Sequence, residues 1–128
     1  MARHVSSQPT EVELQILRIL WEAGPCIARE IHERLQEGKR TTYSTTVKML
    51  SVMLDKGLVT RNEKARPQVY QAAATQQRTQ NRMLSELIDK VYDGSAKSLM
   101  LHVLSSKKAT PEELDEIRRW IDQMEAES

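Results

Sequence analysis

Residues 40–73, RTTYSTTVKMLSVMLDKGLVTRNEKARPQVYQAA, constrain the fold of this chain more than any other stretch. The first half has helical spacing. Thr46, Met49, Leu50 and Met53 share one side, while Ser44, Lys48, Ser51 and Asp55 fall at i, i+4, i+7 and i+11 on another. Gly57 stops that helix, because glycine accepts the left-handed backbone of a helix end without strain. Residues 58–64 and 69–73 are rich in β-formers and flank a tight turn at Ala65-Arg66-Pro67. A helix with a polar outer face, followed by a basic hairpin, predicts a winged helix-turn-helix.

Two helices precede this stretch. Thr10 opens the first with a capping box, T-E-V-E, in which Glu13 reaches back to the cap. Val12, Ile16, Ile19, Leu20 and Ala23 share one face, flanked by Leu17 and Trp21, and Gly24-Pro25 ends the helix. Pro25 and Cys26 have room for a very short strand. Ile27, Ile31 and Leu35 lie at i, i+4 and i+8, so a second helix spans about 27–37 and stops at Gly38. Thr41 or Thr42 caps the third.

From Thr75 the character changes. Gln, Arg and Asn dominate 76–82, and a long helix then runs to about Tyr92, where Asp93-Gly94 breaks it. A short helix over 95–105 carries Leu99, Met100, Val103 and Leu104 on a buried side. Thr110-Pro111-Glu112-Glu113 opens a last helix, with Pro at the first helical position and Glu113 completing a capping box. Apolar residues repeat at helical spacing at Leu84, Leu87, Ile88 and Val91, and again at Leu114, Ile117, Ile121 and Met124 with Trp120 beside them. So few residues cannot bury this much apolar surface among themselves. A partner is expected, and an identical chain is the simplest one. The predicted architecture is therefore mainly α with a small antiparallel β wing. Residues 1–74 form the winged helix-turn-helix domain and 75–128 a three-helix dimerisation segment. Its expected contacts are Leu84, Leu87, Val91, Leu99, Val103, Leu114, Ile117, Trp120, Ile121 and Met124.

Composition excludes several classes. Hydrophobic residues are 39% and charged residues 29%, which suits a soluble globular protein. No apolar run approaches the roughly 20 residues of a membrane span, so no membrane insertion is expected. The start, MARHVSSQPT, lacks the apolar core of a signal peptide, so a cytoplasmic location is expected. Cys26 is the only cysteine, which rules out a disulfide within one chain. His4, His32 and His102 are scattered with no metal-ligand spacing, and His32 is expected on the surface of the second helix. No glycine-rich phosphate loop, nucleophile elbow or HExxH is present. Neither an enzyme nor a cofactor is expected.

Charge is distributed unevenly. Residues 1–74 carry a net +3 and residues 75–128 a net −2, and within 39–66 the balance reaches +5. A basic segment beside an acidic remainder suits one part facing a polyanion and another facing protein. In a helix-turn-helix the first residues of the second helix approach base edges, and the positive dipole end favours phosphate. Tyr43, Ser44, Thr45 and Lys48 occupy that place, and short hydroxyl side chains let a helix lie close to bases. Arg61, Lys64 and Arg66 supply cations for the sugar-phosphate backbone or the minor groove. An isolated Ser/Thr stripe would be a merely solvated face. The short Gly-containing connection before this helix and the basic hairpin after it favour double-stranded DNA. Tyr70 is expected to pack in the sheet. The alternative is a winged helix used as a protein-interaction module without a specific DNA target.

Several pieces together resemble the BlaI/MecI/CopY-type, or penicillinase, repressors over roughly residues 10–125. These are EVELQILRILWEAGP, AREIHERL, TYSTTVKMLSVMLDKGLV, the strand VYQA after the wing, and KVYDGSAKSLMLHVL. The resemblance implies a cytoplasmic homodimer that binds a dyad operator and represses transcription. It adds Thr42 to Ser44, Thr45 and Lys48 as a DNA contact. It also implies a sensor or protease that relieves repression. In the best-known branches the repressor is cut between an Asn and a Phe in the short dimerisation helix. The matching positions here are His102 and Val103, a departure that argues against release by the same cut. The chain ends RRWIDQMEAES without the paired cysteines of the copper-sensing branch. Thr46 stands where the family has Val or Ile.

Overall fold

The structure, a computed structural model, describes residues 8–35 and 41–128. In chain order its elements are α1 (Glu11–Ala23), β1 (Cys26–Ile27), α2 (Ala28–Leu35), α3 (Tyr43–Lys56), β2 (Val59–Asn62), β3 (Val69–Ala72), α4 (Gln76–Val91), α5 (Ala96–Ser105) and α6 (Pro111–Glu127). The predominance of helix, with one small antiparallel sheet, is the expected fold class. The chain divides into two compact units, Met1–Met83 and Leu84–Ser128, with the division inside α4. The expected stop at Gly38, and the cations Lys39 and Arg40, lie outside the described residues.

In the first unit the core gathers Ile16, Leu17 and Leu20 from α1, Ile31 and Leu35 from α2, and Leu50 and Met53 from α3. Cys26, Val59 and Tyr70 close it from the sheet. The α1 stripe is rotated from its expected position. Leu17 is buried, Val12 and Ile19 are only half-buried, and Ala23 is exposed. The reason is tertiary: α2 and β3 both pack on α1, and their position selects which face is covered. The N-terminal end of that face is Glu13, a buried carboxylate. It completes the capping box, accepting from the Thr10 N–H at 2.8 Å while its own N–H donates to Thr10 Oγ1 at 3.2 Å.

The sheet order is β1-β3-β2, all antiparallel, with Tyr70 opposite Arg61 on one side and Cys26 on the other. Ile27 pairs with Val69 and so belongs to β1, which delays the start of α2 to Ala28. Trp21 Nε1 donates to the Ala74 carbonyl at 3.0 Å, tying the exit of the hairpin to α1. Gly57 ends α3 as expected. Its φ of 77° is left-handed, and the Leu58 N–H reaches the Met53 carbonyl at 2.9 Å, which turns the chain directly into β2.

In the second unit Ser95 caps α5, and Thr110 and Glu113 form a capping box at α6. This unit has no buried residue. The burial expected for α5 is incomplete within one chain, since Leu99 is half-buried and Met100, Val103 and Leu104 are exposed. These four side chains line an open apolar groove of about 570 Å³ together with Leu84, Leu87, Ile88, Ala96, Ile117 and Ile121. Within the second unit nothing closes over this groove, and its lining residues stay half-buried or exposed. Among the described residues, no helix is long and apolar enough to cross a membrane.

Candidate nucleic-acid interface

The outward face of α3 is built from its buried one. Thr46, Leu50 and Met53 are buried against the other elements of the first unit. Helical geometry then leaves Tyr43, Ser44, Val47, Lys48 and Ser51 exposed on one side. Thr42 caps the helix, its Oγ1 accepting from the Thr45 N–H at 3.2 Å. The same oxygen lies 2.8 Å from Thr45 Oγ1 and 3.2 Å from Ser44 Oγ. Three hydroxyls therefore interlock at the start of the helix, and the one on Thr42 is already committed to the cap. Thr45 and Lys48 also line an open groove of about 250 Å³ with Thr10, Glu13, Met49 and Val52.

Behind that face, α2 holds the start of α3. Thr46 Oγ1 lies 2.8 Å from His32 Nδ1 and donates to the Thr42 carbonyl at 3.5 Å. A hydroxyl in a wholly buried position needs a partner, and His32 provides one. His32 is accordingly half-buried between helices rather than a residue of the open surface. The Tyr43 ring stands edge-on to it, with centroids 5.5 Å apart and planes at 81°. Arg29 covers the Tyr43 ring, with Cζ 4.1 Å from its centroid. Arg29, Tyr43, His32 and Thr46 thus run in sequence from solvent to core.

The three wing cations are differently placed. Arg61 sits opposite Tyr70 and pairs with Glu63 at 3.1 Å, its guanidinium 6.0 Å from the Tyr70 ring. Arg61 is therefore half-buried on the Tyr70 side of the sheet. Arg66 folds back over its own turn, with Nη1 donating to the carbonyls of Glu63 at 2.7 Å and Ala65 at 3.3 Å. Lys64 is exposed at the turn, which Asn62 Oδ1 shapes by accepting its backbone N–H at 3.0 Å.

Two residues of this surface escape a reading of the sequence. Val47 is 37% exposed beside Ser44, Lys48 and Ser51. Its spacing gave a signal that its apolar character concealed. Arg29 belongs to α2 and reaches the start of α3 only through packing, for which the sequence holds no local sign.

Three packed helices followed by a two-stranded wing, with the third helix displaying its N-terminal half, define the winged helix-turn-helix class of nucleic-acid-binding proteins. Residues 9–123 match the family model described as penicillinase repressor, and the chain belongs to that family. Its members are DNA-binding transcriptional repressors rather than enzymes. No curated protein matched the chain.

Proposed function

We propose that this chain is a sequence-specific repressor that binds double-stranded DNA as a homodimer across a dyad operator. The observation that carries the reading is the exposed face of α3, where Tyr43, Ser44, Val47, Lys48 and Ser51 stand over the buried Thr46, Leu50 and Met53. That face is presented by a rigid core, and it combines hydroxyls, a methyl-bearing side chain and one cation. The hydroxyls and the methyl-bearing side chain are groups that read base edges in the major groove, and the cation suits a phosphate. Thr42, Thr45 and the wing cations Arg61, Lys64 and Arg66 complete the contact set, with Lys64 and Arg66 exposed and Arg61 half-buried.

The second unit supports dimerisation. Its apolar groove needs a closing surface, and Leu84, Leu87, Val91, Leu99, Val103, Leu114, Ile117, Trp120, Ile121 and Met124 supply the same surface in a second copy. Two α3 helices about one duplex turn apart would read a palindrome. The bound dimer would block polymerase sterically, in the cytoplasm. Loss of dimerisation would then release the operator, because two weak half-site contacts lose their avidity once separated. A sensor or protease acting on the second unit fits that scheme.

The test is selection of bound duplexes from a random library at near-physiological salt, followed by sequencing. Recovery of a palindrome with half-sites about one helical turn apart is expected. Folded protein that enriches no motif would exclude sequence-specific recognition.

A further inference from the structure

We infer that Arg29, on α2, is a further contact to the DNA backbone, delivered to the start of the recognition helix by its stack on Tyr43. The inference rests on the DNA-binding reading above. It starts from the state of the cations around α3. Lys56 is held in a buried pair with Glu13, Arg61 pairs with Glu63 at the surface, Arg66 donates to the carbonyls of its own turn, and Lys48 and Lys64 are exposed. Arg29 is exposed, and among the described residues no carboxylate pairs with it. Its observed partner is the Tyr43 ring at 4.1 Å.

That partner matters for what remains available. A cation–π contact needs no N–H···acceptor bond, and among the described residues no hydrogen bond occupies the Arg29 guanidinium, so its N–H donors stay open. Those donors match the oxygens of a phosphate. The stack also restrains a long side chain in advance, so less rotamer freedom is lost on binding. Tyr43 is itself fixed, edge-on against His32, which is held by the buried Thr46. The charge is thus mounted over Tyr43, the first residue of α3, where a duplex lying on that helix would bring its backbone. A phosphate there also meets the positive end of the helix dipole.

The test compares the full chain with Arg29→Gln and Arg29→Lys, on a selected duplex and on an unrelated one, across a salt series. Each phosphate contact contributes about 0.9 to the slope of log affinity against log salt. Arg29→Gln is expected to lower that slope by about 0.9 per half-site, or about 1.8 for a dimer. The same slope extrapolated to 1 M salt predicts about a fivefold loss per half-site near 0.15 M. The loss should be similar on both duplexes, and the selected motif should not change. Arg29→Lys, which keeps the charge, should retain the wild-type slope.

An Arg29→Gln protein with wild-type slope and affinity would overturn the inference while leaving sequence-specific binding intact. So would an Arg29→Lys protein whose slope falls as far as that of Arg29→Gln, since the loss would then not follow the charge. Wild-type protein that binds no duplex would instead remove the DNA-binding reading itself.

Discussion

Lys56 Nζ lies 2.7 Å from Glu13 Oε1, joining the last turn of α3 to the first turn of α1 through two side chains that are each less than a tenth exposed. The same carboxylate oxygen accepts the Thr10 N–H. One acidic residue therefore caps α1, neutralises a buried cation and fixes the end of α3 that faces away from Thr42. Removing one partner of a buried pair leaves the other charge uncompensated, at a cost of about 3 kcal/mol. Lys56→Met should destabilise the first unit by that order, and adding Glu13→Leu should recover most of the loss. Urea unfolding followed by Trp21 fluorescence, in a Trp120→Phe background, would measure both. Equal midpoints for Lys56→Met and its parent would show that the pair contributes nothing net.

The same residue predicts a pH dependence. Burial pushes the Glu13 carboxyl up, but the hydrogen bonds from Lys56 and Thr10 and the ammonium charge outweigh it, so its pKa falls below the ordinary 4.5. A carboxyl whose pKa is lowered in the folded state adds stability above its unfolded pKa. That contribution disappears as pH falls through the folded value. Stability of the first unit should therefore decline below about pH 4.5. Glu13→Gln should flatten that part of the curve, and parallel curves for the two proteins would assign the acid sensitivity elsewhere.

The parts legible in the sequence were those whose cause is local. Gly57 ends α3 because the left-handed backbone belongs to that residue, and both capping boxes follow from four consecutive residues. The buried face of α3 was legible because its period repeats within one helix. What escaped depends on distant partners. Glu13 and Lys56 are 43 positions apart, and no pattern in either helix marks them as a pair. Leu17 entered the α1 core stripe because of where α2 and β3 lie. The wing strands are shorter than their composition suggested, since Asn62 takes the Lys64 N–H and begins the turn early. In the candidate site, exposure of the hydroxyls was legible, whereas the half-buried state of Arg61 and the stack of Arg29 on Tyr43 required the packed fold.

His32 and Thr46 give a direct measure of one such distant contact. Thr46→Val keeps the shape of the side chain but removes the hydroxyl that meets His32 Nδ1. A hydrogen bond of this kind contributes about 1 kcal/mol. Thr46→Val, His32→Ala and the double variant form a cycle whose coupling energy should be of that size. Additive effects on the unfolding free energy would mean that the two helices do not rely on this bond.

Val47 and Lys48 are neighbours on α3 but should fail differently. Loss of a Lys48 contact to phosphate would weaken all duplexes alike and lower the salt slope by about 0.9 per half-site. Val47 offers methyl groups suited to a thymine methyl, so Val47→Ala should weaken preference rather than general affinity. Replacing thymine by deoxyuridine in the selected site removes the opposing methyl. Wild type should lose about fourfold on that change, the worth of roughly one buried methylene at ~0.8 kcal/mol, while Val47→Ala should be indifferent to it. Equal sensitivity of both proteins to deoxyuridine would exclude the contact.

The second unit makes the last prediction. Ile117 and Ile121 of α6 line its apolar groove. If a second copy closes that groove, a charge at either position must be desolvated or must prevent association. Ile117→Glu with Ile121→Lys should therefore give monomers by sedimentation. The first unit holds every buried residue of its own core and should keep its unfolding transition. Binding to the full palindrome should drop toward that of a single half-site, a loss of about 100-fold or more when avidity is removed. Binding to an isolated half-site should stay near its wild-type value. A monomeric variant with undiminished palindrome affinity would separate DNA recognition from dimerisation and remove dissociation as the releasing step.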